Sequence, residues 1–423
     1  MNQISFLVNT SVNNLDHVKL LLKSLKENLK GQRHEILIFV DSDNEGTVEW
    51  LREQKKNFYD LKIITHSLTP CIGYSRNNNL LVELAEHDIV SYLQSDMVIS
   101  PNYDVDILSE LEEDCILSAT RIEPPLHGRS YQTITEDFGT DPNEFKWDEF
   151  QRFSVGAKRN ENLEYFFAPF TFYKKVWMDV GGYDTLFRRS REDSDLLQRF
   201  IQAGVKIKQT FKANVYHFSC VSSRGKNWFD PNSEEAQSRV KIQNIADRVE
   251  LIRFQKKWGR FNHGEEKLIK YDMDMVWIGG SLEDLIRVEQ YFAKVWVPTQ
   301  ELKDKIIDLH KADQMYANHL LKFEQEDWDN AKKFYNQIDY NSLVQVGEPQ
   351  DYNIKVKVDM TSDSTKDIFL SNISFLSDLI NPYDPGVYEL GCVTFHIKNK
   401  INIADNHTVV VNPPFDYTLL TIE

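Results

Sequence analysis

The chain has 423 residues, 41% of them hydrophobic and 27% charged, ordinary values for a soluble globular protein of two or three domains. Its formal charge of −16 argues against a nucleic-acid duplex or an anionic membrane surface as the main partner. An acidic protein can still hold an anionic substrate where a metal or a local Arg/Lys cluster supplies positive charge. The four cysteines, Cys71, Cys115, Cys220 and Cys392, are widely spaced and read as free thiols of a reducing, cytoplasmic setting. No apolar run is long enough to cross a bilayer, and the first strand at about Ile4 leaves no room for a signal peptide.

The N-terminal half alternates strand and helix. Ile4–Val8 reads as a buried strand. Asp16–Leu29 is amphipathic, with Val18, Leu21, Leu22, Leu25 and Leu29 on one face. Strands are expected at Glu35–Val40, Leu61–Thr65 and His87–Leu93, with helices at Gly46–Lys56 and Tyr74–Glu86 between them. Strands separated by single helices imply right-handed crossovers and a parallel sheet. Such a sheet binds ligands at its carboxyl edge, which should hold Thr10, Asp41, Asp43 and Asp96. A helix then runs from Pro101 to about Glu113, followed by a strand at Cys115–Thr120. Residues 121–163 read as loop-rich and partner-facing. Glu164–Tyr173 is strand-like, Lys174–Val180 a short helix stopped by Gly181-Gly182, Asp193–Ala203 a helix, and Ala213–Phe218 a short strand. Residues 233–258 form a long amphipathic helix ending at Trp258-Gly259.

Composition changes after about residue 270. Residues 281–338 look mainly helical and 351–423 strand-rich. Ile354, Val356 and Val358 alternate with lysines, the period of a half-buried strand, and Val393 with Phe395 and Val409–Val411 suggest two more. The expected fold is therefore an α/β domain over residues 1–270 and an α+β extension over 271–423.

Four places could carry chemistry. In Ile36-Leu-Ile-Phe-Val-Asp41-Ser-Asp43, a carboxylate leaving a buried strand can accept from a nucleobase or a ribose hydroxyl, or it can cap the helix that follows Gly46. In Gly73-Tyr-Ser-Arg76-Asn77, the arginine on the first helical turn can hold a phosphate, lock the aspartates or form a structural ion pair. In Gln94-Ser95-Asp96, one strong carboxylate can join diphosphate oxygens and waters around Mg²⁺ or Mn²⁺. His217, on the strand Val215-Tyr-His-Phe, is the candidate third ligand, or a hydrogen-bonded core histidine. In Arg191-Glu192-Asp193-Ser194-Asp195, the acidic first turn of a helix can be a cap, or it can carry the base that takes a proton from an attacking hydroxyl.

In this order the pieces resemble the nucleotide-sugar glycosyltransferases of the GT-A fold, specifically the large inverting family that includes polysaccharide and chondroitin-type synthases. The resemblance spans residues 1–260 and includes Val180-Gly-Gly-Tyr-Asp184 and the closing segment Phe254-Gln-Lys-Lys-Trp258-Gly. It implies that Asp41 and Asp43 contact base and ribose, that Thr10 and Ser95 line the nucleotide pocket, and that Arg76 supports the diphosphate. It implies Asp96 and His217 as ligands of Mn²⁺ or Mg²⁺, Asp193 as general base, and Glu192 positioning the acceptor. Ser222-Ser-Arg224-Gly-Lys226 resembles the flexible segment that folds over the diphosphate in such enzymes. The implied reaction moves a hexose from a UDP-sugar, or a GDP-sugar, to a hydroxyl of a glycan or glycoconjugate, with inversion. Gln94 stands where the family usually has an acidic residue, which bears on metal affinity rather than fold.

Two literal Asp-x-Asp triplets compete for the metal role. Asp41-Ser-Asp43 follows strand two, where the family binds the nucleoside, and Asp272-Met-Asp274 precedes its strand. Neither is expected to be the metal turn. Asn412-Pro-Pro-Phe415 resembles the active-site tetrapeptide of amino-methyltransferases, but no glycine-rich cofactor loop follows an earlier strand. The C-terminal third fits a lectin-like, acceptor-docking or homo-oligomerising role equally well. The alternative to an active transferase is a catalytically silent GT-A module that binds sugar nucleotide or glycan, which Gln94 favours. A sugar-phosphate nucleotidyltransferase would want glycine and lysine after strand one, and Asn9–Asn14 offers neither.

Overall fold

The structure, a computed structural model, describes residues 2–31, 33–68, 72–126, 130–188, 190–219, 248–260, 266–320, 336–361, 365–404 and 412–423. Arg224 and its basic loop, residues 233–247 of the long helix, and Val409–Val411 lie outside the described residues.

The first sheet starts as the alternation implies. Strands β1 (Ile4–Thr10), β2 (Glu35–Val40), β3 (Asp60–His66) and β4 (Ile89–Gln94) pair in parallel in the order β3-β2-β1-β4. Helices α1 (Leu15–Asn28), α2 (Thr47–Gln54) and α3 (Tyr74–Leu84) make the crossovers, and α1 buries Val18, Leu21, Leu22 and Leu25 as its spacing predicts. A short strand, β5 (Met97–Ile99), follows the Asp96 turn, and α4 (Tyr103–Leu108) is shorter than expected. Strand β6 (Cys115–Glu123) runs on past Thr120 to Glu123. Small strand β7 (Thr133–Thr135) pairs with its end, β8 (Asn162–Leu163) pairs antiparallel with the strand Lys206–His217, and β9 (Phe170–Tyr173) lies antiparallel between β4 and β6. Strand β10 (Lys206–His217) pairs in parallel with β6 and antiparallel with β5. Seven of the eleven strands therefore point the same way.

Residues 121–163 are not all loop: α5 (Trp147–Gly156) forms there and buries Phe150 and Ser154. Phe150 joins Phe138, Tyr216 and Phe218 in a small aromatic core on one face of β10. Helix α6 (Lys174–Val180) matches its expected span, and α7 (Glu192–Ala203) starts one residue earlier than expected.

A second, six-stranded sheet contains β11 (Met273–Ile278), β12 (Lys294–Val297), β13 (Val344–Val346), β14 (Ile354–Asp359), β15 (Gly386–Leu390) and β16 (Val393–Ile397). Its parallel part has the order β13-β12-β11-β14, the same 3-2-1-4 arrangement as the first sheet. The segment expected to be helical over 281–338 is thus interrupted by β12, whose Val295, Trp296 and Val297 form an apolar strand between helices Leu282–Val288 and Gln300–Leu320. The segment expected to be strand-rich over 351–423 holds helices at Lys366–Asn372 and Leu376–Ile380, which bury Leu370, Leu376 and Ile380. The last strand, β17 (Leu420–Ile422), returns to the first sheet and pairs antiparallel with β3.

Candidate active site

The carboxyl edge of β1, β2 and β4 gathers the residues expected there. The Asp41 amide donates to Thr10 O at 2.9 Å, so the β1–β2 ladder runs right to the edge. Thr10 is buried, and its hydroxyl has no hydrogen-bond partner among the described residues. The Asp41 carboxylate accepts from the backbone amides of Ile72 at 2.7 Å and Gly73 at 3.1 Å, and lies 3.0 Å from His66 Nε2. It therefore pins the loop that enters α3. Gly73 has a φ of 98°, a left-handed backbone that favours glycine. Asp43 is exposed and fully engaged in capping: its two oxygens accept from Glu45, Thr47 and Val48. Partial burial works against it, yet the amides of Val48, Thr47, Glu45 and Gly46 hold its carboxyl below the ordinary range. Of the two roles open to this turn, Asp43 takes the cap.

Arg76 sits buried on the first turn of α3, its guanidinium 5.4 Å from the centre of the Phe415 ring. The asparagines beside it organise a second loop. Asn79 Nδ2 donates to Tyr183 O at 2.8 Å, and Tyr183 N donates back to Asn79 Oδ1 at 2.8 Å. Gly182, at φ 69°, passes so close that a Cβ there would lie 2.5 Å from Asn79 Oδ1 and 2.4 Å from Trp177 Nε1. Only glycine fits that crossing.

The Gln94-Ser95-Asp96 turn joins β4 to β5. Ser95 and Asp96 are buried, and the Gln94 side-chain oxygen has no hydrogen-bond partner among the described residues. Phe218 N donates to Asp96 O at 3.1 Å, clipping the turn to the end of β10. This brings His217 Nε2 to 3.8 Å from Asp96 Oδ1. On its other side, His217 Nδ1 lies 2.7 Å from Glu123 Oε1. A carboxylate and an imidazole are donors that suit a divalent cation such as Mn²⁺ or Mg²⁺. Two donors each about 2.1 Å from one ion stand roughly 3–4 Å apart, so the Asp96–His217 spacing fits that use.

The acidic first turn of α7 packs against Tyr183. Tyr183 Oη donates to Asp193 Oδ1 at 2.6 Å. Tyr183, Tyr74 and Tyr92 form a buried cluster, with Tyr74 Oη and Tyr92 Oη 2.5 Å apart and the Tyr74 and Tyr183 ring centres 5.7 Å apart. Burial drives the Tyr92 phenol pKa far up, and the carboxylates of Asp193, Asp96 and Glu192 push it further in the same direction. Tyr92 stands on β4, four residues before Asp96. The two acidic groups, about a hundred residues apart in the chain, thus act on one side chain.

Behind its first turn, α7 is nailed down. Fully buried Asp195 accepts from Arg199 Nε at 2.9 Å and Trp258 Nε1 at 2.9 Å, and pairs with Lys257 Nζ at 2.8 Å. Lys257 also pairs with Asp184, whose carboxyl stays well below the usual range: burial opposes this, but the charges of Lys257 and Arg199 outweigh it. Arg191, just ahead of Glu192, holds a left-handed φ of 67°, a backbone strain worth about 1–3 kcal/mol for a non-glycine residue.

Other acidic groups are engaged elsewhere. Asp272 accepts from Asn353 and Asp274 from Trp296, at the amino edge of the second sheet. Glu35, Asp60 and Glu86 cluster at the amino edge of the first sheet, but Lys62 Nζ fills the cluster, 2.6 Å from Glu35 and 2.5 Å from Glu86.

Residues 8–190 match the family model described as glycosyl transferase family 2. The match covers less than half of the chain, in its N-terminal part. The sheet there is mainly parallel and flanked by helices. No curated protein matches the chain. Among solved structures, GalNAc-T7 with UDP, GalNAc and Mn²⁺ aligns at 13% identity and a TM-score of 0.37, covering 59% of this chain and 51% of that one. The chain thus spans about half the length of GalNAc-T7. Residues 1–349 of S. aureus TarS, in complex with UDP, align at 13% identity and a TM-score of 0.40, covering 83% and 98%. A second S. aureus TarS structure gives 13%, 0.39, 85% and 62%.

The site holds residues that the sequence motifs did not flag. Glu123 reads as the ordinary end of a strand, and only the β6–β10 pairing brings it to His217. Tyr183 lies inside a recognised motif but shows its purpose only when α7 folds against it. No described helix is long and apolar enough to cross a membrane.

Proposed function

We propose that the N-terminal domain is a metal-dependent inverting glycosyltransferase, moving a sugar from a nucleotide diphosphate sugar to a hydroxyl of a glycan or other acceptor. The observation that supports this best is the approach of Asp96 and of Glu192 with Asp193 to one tyrosine cluster. In this reading Thr10 and Ser95 line the nucleotide pocket, and Arg76 supports the diphosphate. Asp41 and Asp43 shape the nucleoside end through the loops they pin rather than by free carboxylates. Arg224 is kept as the arginine of the segment that covers the diphosphate.

Asp96 and His217 would hold Mn²⁺ or Mg²⁺, with Gln94 offering a neutral amide oxygen in place of a second carboxylate. The cation would offset charge growing on the departing diphosphate. Asp193 takes the proton of the acceptor hydroxyl as it attacks, and Glu192 positions that hydroxyl. Tyr183 keeps the Asp193 carboxylate aimed; burial and the nearby charge of Asp193 keep the phenol protonated and donating. A UDP-sugar is the first donor to try and a GDP-sugar the second. The acceptor meets residues 121–163 and the C-terminal region. The reading also keeps a cytoplasmic location, consistent with Cys115 and Cys392 as free, buried thiols.

Release of free nucleotide from UDP-sugars in Mn²⁺ tests the mechanism. The wild-type protein should turn donor over slowly without acceptor, and Asp193→Asn should lower that rate by about 10²–10⁴. A wild-type protein that binds donor yet never turns it over with any acceptor would instead be the silent module that Gln94 favours.

A further inference from the structure

We infer that Glu123 is a positioning residue, which fixes the ring of His217 so that Nε2 is the nitrogen offered to the cation. This takes Asp96 and His217 as the ligands, as proposed above. The placement comes from strand register. Strand β10 lies between β6 and β5, with Tyr216 opposite Ile122 and His217 opposite Met97. His217 therefore has Glu123 on one side and Asp96 on the other. Glu123 Oε1 is 2.7 Å from Nδ1, a hydrogen-bond length. An ionised carboxylate only accepts, so Nδ1 carries the hydrogen and donates it. A neutral imidazole protonated there has its lone pair on Nε2, the atom 3.8 Å from Asp96 Oδ1.

A plain core hydrogen bond would not require that second nitrogen to face a buried carboxylate. At 3.8 Å the Asp96 contact is too long for a hydrogen bond but suits two donors to one ion. Arg121 Nη1 lies 3.7 Å from Glu123 Oε1, a positive group beside that carboxylate. Without Glu123 the ring could turn over and present the protonated edge to the ion. Outer partners of this kind commonly account for about 10–100-fold in metal affinity.

The test titrates the full chain with Mn²⁺ without nucleotide and follows the free aquo-ion signal by electron paramagnetic resonance. Glu123→Ala should weaken Mn²⁺ binding by about 10–100-fold. Glu123→Gln, whose amide oxygen can accept the same N–H, should stay within roughly fivefold of wild type. Glu123→Ala binding Mn²⁺ normally, while Asp96→Ala and His217→Ala lose it, would overturn the role of Glu123 alone. A Gln variant as weak as the Ala variant would also overturn it, since charge rather than orientation would then matter. If Asp96→Ala and His217→Ala still bind Mn²⁺, the ligand assignment itself fails and Glu123 goes with it. A second measurement needs no metal: ¹⁵N-histidine spectra of the wild-type protein should show His217 protonated at Nδ1, and the opposite tautomer would refute the inference.

Discussion

The hydrogen bond from Tyr183 to Asp193 governs how that carboxylate can act. Tyr183 is fully buried, and its backbone is gripped on both sides by Asn79, so the phenol has little freedom to move away. Removing the hydroxyl deletes a hydrogen bond to a charged group, worth about 1.5–3 kcal/mol, without opening a large cavity. Tyr183→Phe should therefore lower kcat by roughly tenfold or more, with little change in donor KM. Steady-state kinetics at fixed Mn²⁺ would check this, and an unchanged kcat would mean that something else orients Asp193. At this scale, residues with a local pattern were readable from sequence: Asp96 in its turn after a strand, the acid run opening α7, His217 at a strand end. Glu123 and Tyr183 were not, because their contacts with His217 and Asp193 are made across 94 and 10 residues of chain.

Among elements, α7 owes its position to a partner far along the chain. Asp195 is shared by Arg199, Lys257 and Trp258, and Lys257 also meets Asp184. Replacing Lys257 by Met leaves two buried carboxylates short of a cation. Breaking a buried pair on one side costs about 3–5 kcal/mol, and Lys257→Met should show a loss of that size in urea unfolding. The segment Phe254-Gln-Lys-Lys-Trp258-Gly stood out in the sequence as a motif of the resemblance; that it clamps the acidic helix did not. The parallel β3-β2-β1-β4 core was legible because single helices separate its apolar strands. Helix α5 was not: Phe150 and Ser154 mark its buried side, but the charged residues around them hide the period. Strand β12 was missed for the opposite reason, since four residues between two helices offer too short a pattern to separate from either. The repeated 3-2-1-4 order of the two sheets escaped detection because strand order is a property of pairing, which no single segment carries.

Across the whole molecule, the two sheets meet through charge as well as apolar contact. Leu186, Phe187, Phe254, Trp258, Leu268 and Ala404 form a small core at the seam. Beside it, Lys256 Nζ lies 2.6 Å from Glu289 Oε2, and His310 Nε2 lies 2.9 Å from Glu289 Oε1. Burial would raise the Glu289 pKa, but Lys256 and His310 bring it down to about 2. Between pH 4.5 and about 2 the unfolded chain binds a proton that the folded one does not, so stability rises with pH across that window. The contribution of Glu289 is thus complete above pH 4.5 and is lost as the pH falls toward 2. Glu289→Gln should be less stable at pH 7 and should show a shallower decline through that acid range, as measured by thermal unfolding at several pH values.

Strand β17 gives this arrangement a further consequence. Arg52 binds Glu423 across 371 residues of chain, and β17 lies along the free side of β3. The second sheet is therefore tethered at both ends to one scaffold, a handle rather than a pendant. During synthesis, β3 must wait with one flank bare until residues 420–422 leave the ribosome. That flank is the place where a chaperone, or a neighbouring nascent chain, would find the immature protein most receptive.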